Sequence, residues 1–162
     1  MNISPASDMQ LADVDSACRD FRAYWLSFEN MPFPCQFAGT QDDVTALDYL
    51  EYEGLGYPTT YLSGAALVWG NVLSKQLGMS WMSGYNGELV LTHDAPGNRV
   101  TFWPFARVLE AQETSCPRDG RYAWLLDRSI RDCLRFGDLS VEAIAWSRGV
   151  IDHWARNGEP WS

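Results

Sequence analysis

One stretch of the chain, residues 60–77, carries a single charged side chain, Lys75. Its apolar residues do not alternate with polar ones, and Gly78 follows the last of them as a typical stop for a helix. A helix that is apolar on most of its faces must be covered by other elements, so we expect residues 60–77 to form the central helix of the fold. Gly64 and Gly70 each cost this helix about 1 kcal/mol relative to alanine, which predicts that another element lies close to the backbone there.

After the central helix the pattern changes from a helical to a strand period. Three short segments, 80–83, 88–92 and 99–103, are predicted as strands. The turn at 85–87 contains the Asn-Gly pair that favours a tight hairpin, and residues 95–98 read Ala-Pro-Gly-Asn, which indicates a second turn. Three consecutive strands joined by short turns are typical of an antiparallel meander.

Helical periods and capping signals predict the remaining elements. Ser7 and Gln10 match a capping box, and Thr40 precedes a second apolar-periodic segment in the same way. The predicted helices outside the central one cover residues 7–28, 40–54, a short stretch from 104, 120–136 and 140–156. We therefore expect a single domain over residues 1–162, of the α+β class, with about five helices around a small three-stranded antiparallel meander.

The chain is strongly acidic, with 12 basic and 21 acidic residues and a formal net charge of −9 at pH 7. An acidic surface repels phosphate backbones and anionic lipids, which argues against nucleic acid or a membrane surface as partners and favours a basic partner. There is no apolar run of about 18 residues and no basic, apolar leader at the amino terminus. We therefore expect a cytoplasmic protein.

The chain contains four cysteines and two histidines, and their spacing does not match a zinc site. No Cys-x-x-Cys pair occurs, and isolated cysteines in a reducing compartment usually stay as buried thiols. We therefore expect four unpaired thiols and no metal or other cofactor. The cysteines are Cys18, Cys35, Cys116 and Cys133.

No catalytic arrangement is apparent in the sequence. A Gly-x-Ser-x-Gly nucleophile elbow is absent, and both His93 and His153 stand in contexts typical of surface or packing histidines. The acids after Thr40 could form an acid–base pair only if one were buried, and an amphipathic helix is expected to present them to solvent. The chain is therefore predicted not to be an enzyme, with a carboxylate-dependent hydrolase kept as a third alternative.

The acidic charge is concentrated in one part of the chain. No basic residue occurs between Arg22 and Lys75, and the interval carries a net charge of −6. Tyrosines are interleaved with these acids, and tyrosine beside carboxylates is a composition typical of protein interfaces. The alternative is a solvated helix that only aids solubility. The predicted partner-binding residues are Asp42, Asp43, Asp48, Tyr49, Glu51, Tyr52, Glu53 and Tyr57.

The middle of the chain, about residues 62–114, resembles a bacterial family known as domain of unknown function 3806. The resemblance rests on Leu77-Gly78-Met79-Ser80-Trp81 at the end of a glycine-containing helix, and on the segment from Pro104 to Glu113 after the strands. The family implies an α+β fold. It supplies no reaction, so it assigns no catalytic residue.

A second resemblance is one of type. Small, acidic, tryptophan-rich chains without a catalytic arrangement are similar to immunity proteins of antibacterial toxin systems. The resemblance implies a basic cognate toxin as partner, with the acids standing in for its anionic substrate and the tyrosines filling its cleft. A housekeeping or regulatory domain with another partner is the alternative interpretation.

Overall fold

The computed structural model describes residues 3–58, 61–95, 98–113, 120–136 and 139–157. These residues form six helices and one four-stranded antiparallel sheet, so the predicted α+β class is confirmed. The helices are α1 (Asp8–Leu26), α2 (Gln41–Tyr52), α3 (Tyr61–Leu77), α4 (Pro104–Glu113), α5 (Arg121–Phe136) and α6 (Val141–Asn157). The strands are β1 (Ser4–Pro5), β2 (Ser80–Ser83), β3 (Leu89–Ala95) and β4 (Asn98–Phe102), which neighbour each other in chain order.

The predicted meander corresponds to β2, β3 and β4. Trp81 lies opposite Leu91 in one antiparallel pair, and Leu91 lies opposite Phe102 in the next. The first turn is closed by the N–H of Gly84, which donates to the carbonyl of Glu88 at 2.7 Å. The second predicted turn includes residues 96 and 97, which lie outside the described residues.

The prediction did not include β1, which adds a short edge strand to the meander. Ser4 lies opposite Ser83 and Pro5 opposite Met82, and the N–H of Ala6 donates to the carbonyl of Trp81 at 3.2 Å. A two-residue strand has no readable period, and proline argues against a strand except at an edge, where its missing N–H faces solvent. The sheet therefore has four strands rather than three.

Helix α3 is the centre of the fold, as its composition predicts. It contacts α1, α2, α4, α6 and β3, and Val68, Trp69 and Leu73 on it are completely buried. At Gly70 the ring of Trp81 is so close that a Cβ atom would lie 2.6 Å from its Cη2 atom. The predicted close approach is therefore confirmed at Gly70.

Helix α1 begins at the predicted capping box. The N–H of Gln10 donates to the Ser7 hydroxyl at 3.1 Å, and the N–H of Ser7 donates to the Gln10 side chain at 2.9 Å. Two of the described N–H groups at this helix end are thereby satisfied by side chains. Farther along, α1 buries Phe21 and Trp25 in the core.

Three of the four cysteines lie in described residues, and all three are free thiols, as predicted. Cys35 and Cys133 are buried and Cys18 is half-buried, while Cys116 lies outside the described residues. Burial raises the pKa of Cys18 and of Cys133 to about 12, because a thiolate would lose its hydration. These thiols are therefore neutral at physiological pH.

Candidate functional site

The predicted partner-binding residues lie on α2 and just after it, and the structure separates them into buried and exposed groups. Asp43 is completely buried near the start of α2. Its carboxylate accepts a hydrogen bond from the N–H of Gly39 at 2.8 Å and one from the Cys35 thiol at 3.5 Å. Burial raises the pKa of Asp43 to about 6, although the Gly39 N–H acts in the opposite direction. Asp43 thus ties the preceding loop to the helix.

Asp48 is also completely buried, and it connects α2 to a distant part of the chain. One carboxylate oxygen accepts the N–H of Tyr122 at 2.7 Å, and the other accepts the N–H of Ala123 at 3.1 Å. Both donors lie in the first turn of α5, where helical N–H groups have no partner within the helix. The positive end of the helix dipole also favours a carboxylate there. Asp48 is therefore a cap of α5 that another helix supplies.

Glu51 forms a nearly buried ion pair with Arg121 at the same junction. The Nη1 atom of Arg121 is 3.0 Å from Oε1 of Glu51, and Gln112 donates to the same oxygen at 2.6 Å. The other carboxylate oxygen, Oε2, and the Nε atom of Arg121 are buried without a hydrogen-bond partner in the described part of the chain. Glu51 therefore joins α2 to α4 and α5, in a pair whose desolvation offsets much of its attraction.

These contacts correct the prediction that the acids of α2 face solvent. Asp43 and Asp48 are fully buried, and the side chain of Glu51 is only 10% exposed. The reason is that the fold brings each carboxylate a donor from another segment, and buried polar groups persist when they are hydrogen-bonded. Tyr57 is half-buried as well, with its hydroxyl 2.8 Å from that of Tyr122. The three acids therefore do not contribute to an accessible surface, and Tyr57 is only partly accessible.

The other four predicted residues share one side of α2 and its C-terminal end. Asp42 and Glu53 are exposed, Tyr52 is 54% exposed, and Tyr49 is half-buried with its ring edge-on to Trp25. At 1.5 Å per residue, the two acids are about 16 Å apart along the helix, with the tyrosines between them. We call Asp42, Tyr49, Tyr52 and Glu53 the α2 stripe.

The structure also bears on the hydrolase alternative, because that alternative requires a buried acid. Asp43 and Asp48 are held by different donors at separate points of α2, and neither is among the residues lining the clefts found in the described part of the chain. His153 is exposed on α6, next to Asn157. Within the described ranges, no three His, Cys, Asp or Glu side chains are grouped closely enough to hold a metal ion.

A cleft between α1 and α3 was not predicted from the sequence. It has a volume of about 420 Å³, and its charged lining residues are Asp15, Arg19, Arg22 and Lys75. Asn71 also lines it and is only 8% exposed. The only sequence signal is that Arg22 and Lys75 border the stretch without basic residues. They are distant in sequence, so only the packing of α1 against α3 brings them together.

Comparison of the chain with protein-family models, with curated proteins and with solved structures finds no match. The resemblance of residues 62–114 to domain of unknown function 3806 therefore stays a prediction. Among the helices that the structure describes, none is both long and apolar enough to cross a membrane.

Proposed function

We propose that this protein is a non-enzymatic binding module that engages a basic protein partner through the α2 stripe. The observation that supports the proposal is the stripe itself, in which exposed carboxylates flank an exposed tyrosine. Neither Asp42 nor Glu53 forms an ion pair within the described residues. Such charges attract a basic surface from a distance, and a tyrosine between them supplies short-range packing at low entropic cost.

The contacts that anchor α2 in the fold favour a role as a binding surface. Asp43 fixes its beginning to the preceding loop, and Asp48 fixes its middle to α5. Because both contacts are buried, the helix is held in place before a partner arrives. A preformed surface loses less conformational entropy on binding than a mobile one. The acids that do not face solvent therefore still contribute to a partner surface, by positioning the ones that do.

We further propose that the partner is a cognate antibacterial toxin acting in the cytoplasm, and that the protein is its immunity protein. In this mechanism the stripe covers the basic substrate-binding surface of the toxin. The net charge of −9 supports a basic partner of this kind. A housekeeping domain with a harmless partner is the alternative that the experiment has to separate.

The first test is affinity capture from the native cell extract with matched variants. Tyr52→Ala should raise the dissociation rate of the captured partner about tenfold or more, because a packed aromatic anchor is lost. Glu53→Lys should mainly slow association, in a salt-dependent manner. The controls are Tyr85→Ala, which removes another exposed tyrosine, and Asp152→Lys, which reverses an exposed acid on α6. Equal retention of the partner by all variants would mean that the interface lies elsewhere.

The second test addresses immunity. The captured partner is expressed alone and then together with the wild-type protein or the Tyr52→Ala variant. The immunity proposal expects growth arrest by the partner alone, rescue by the wild type and weaker rescue by the variant. A partner that does not impair growth contradicts the immunity role and favours the housekeeping alternative.

A further inference from the structure

Three basic side chains line the cleft between α1 and α3 in an otherwise acidic protein. Arg19 and Arg22 lie on neighbouring turns of α1, and Lys75 faces them from α3. The carboxylates nearby are Asp15 on the rim and Asp43 behind the loop, so the cations outnumber them. The Cys18 thiol in the wall is neutral at physiological pH and adds no charge.

The basic side chains of the cleft and the Asn71 amide have no ion-pair or hydrogen-bond partner among the described residues. In the described part of the chain, Arg19, Arg22 and Lys75 form no ion pair. Asn71 is 8% exposed as a residue and lines the cleft, and no described residue forms a hydrogen bond with its side-chain amide. An amide in this position is free to form hydrogen bonds with a molecule bound in the cleft. An unpartnered amide beside three unpaired cations points to an anionic ligand.

The loop that lines the cleft packs closely against α3 at Gly39, just after the lining residue Ala38. A Cβ atom on Gly39 would lie 2.5 Å from Cγ of Lys75 and 3.1 Å from Nδ2 of Asn71. The Gln76 side chain donates to the carbonyl of Gly39 at 2.9 Å, and the N–H of Gly39 donates to Asp43. The loop is therefore seated directly on α3, and it holds the Asn71 amide and the Lys75 stem in place. The cleft is preformed rather than assembled by its ligand.

We propose that this cleft binds a phosphate monoester of a small organic molecule, with the phosphate held by Arg19, Arg22, Lys75 and the Asn71 amide. A guanidinium fork pairs with two phosphate oxygens at once, and a doubly charged phosphate matches several cations better than a single carboxylate does. The volume of about 420 Å³ exceeds that of a phosphate group and leaves room for a small organic body beside it. This inference is independent of the proposed partner surface on α2.

The test is calorimetric titration of the full chain with phenyl phosphate and with benzoate, at about 0.15 M salt so that non-specific attraction is screened. Phenyl phosphate should saturate one site with a Kd of about 1 mM or lower, and benzoate should bind about tenfold more weakly. Inorganic phosphate is the third probe and should bind the same site more weakly than phenyl phosphate, because it lacks the organic body.

Matched variants separate a built site from general charge. Arg22→Gln and Lys75→Met should each weaken phenyl phosphate about tenfold, since each removes a charged hydrogen-bond donor. Asn71→Asp keeps the shape of the side chain and should abolish binding without lowering thermal stability, because the new carboxylate faces cations. Arg148→Gln removes an exposed charge on α6 and should change nothing. The proposal is overturned if phenyl phosphate does not saturate, if benzoate binds as tightly, or if Arg148→Gln weakens binding as much as Arg22→Gln.

Discussion

Replacing Asp48 by alanine is expected to destabilise the fold strongly, although the residue looks like an ordinary charge on an acidic helix. The carboxylate accepts the N–H groups of Tyr122 and Ala123, and those two residues are 0% and 1% exposed. Loss of a helix cap costs about 1–2 kcal/mol. That value applies to caps near solvent. Here both N–H groups are buried, so each one left without an acceptor costs about 1–3 kcal/mol, partly offset because a buried carboxylate no longer has to be desolvated. The expected total for Asp48→Ala is about 3–5 kcal/mol, a large share of the roughly 5–15 kcal/mol typical of a whole domain.

Urea unfolding followed by tryptophan fluorescence measures this loss directly. Asp48→Asn keeps one oxygen acceptor but turns an amide toward the second N–H, so it should lose about half as much as Asp48→Ala. Asp42→Ala is the matched control, because Asp42 is exposed on the same helix and contributes about 0.5–1 kcal/mol through the helix dipole. The reasoning is refuted if Asp48→Ala stays within about 1 kcal/mol of the wild type or costs no more than Asp42→Ala.

Two further predictions concern stability. Because burial raises the pKa of Asp43 from 3.8 to about 6, the folded state retains a proton that the unfolded chain releases, and this contribution to stability falls as pH rises from about 4 to about 7. The Asp43→Asn variant cannot titrate at this position. Its free energy of unfolding, measured in urea and compared with that of the wild type, should therefore rise by about 2–3 kcal/mol over that pH range. Parallel pH profiles of the two proteins would contradict this. Gly70→Ala should lower the free energy of unfolding by about 1–3 kcal/mol, because its Cβ would lie 2.6 Å from Trp81. Gly149→Ala is the control, since its Cβ meets nothing within 4 Å and alanine should stabilise α6 by up to about 1 kcal/mol; equal changes in thermal unfolding would contradict the packing argument.

The parts of the fold that the sequence predicted are those specified by neighbouring residues. The nearly uncharged run of α3 implied a central helix, and the Ser7 and Gln10 pair marked the start of α1 within a single turn. The change of period after Gly78 located the meander. Each of these signals spans a few residues, so the local sequence carries it without reference to the rest of the fold.

Which acids on α2 are buried could not be predicted from neighbouring residues. Asp43 and Asp48 flank the apolar positions of the helix, where a carboxylate is equally compatible with the rim of a solvated face or with a buried contact. Such a carboxylate is buried only where another segment supplies a hydrogen-bond donor, and the donors to Asp48 are the N–H groups of Tyr122 and Ala123. The cleft between α1 and α3 could not be predicted either, because its cations come from separate segments.

The capping of α5 by Asp48 also has a consequence for how the protein is made. The carboxylate and the N–H of Tyr122 are 74 residues apart. At typical rates of translation, about 5–20 residues per second, the ribosome needs roughly 4–15 s to synthesise that interval. During this time Asp48 stays hydrated, because burying it without its donors is unfavourable. We therefore expect the amino-terminal half of the nascent chain to complete its core only after α5 has been synthesised, with part of its apolar surface available to chaperones until then.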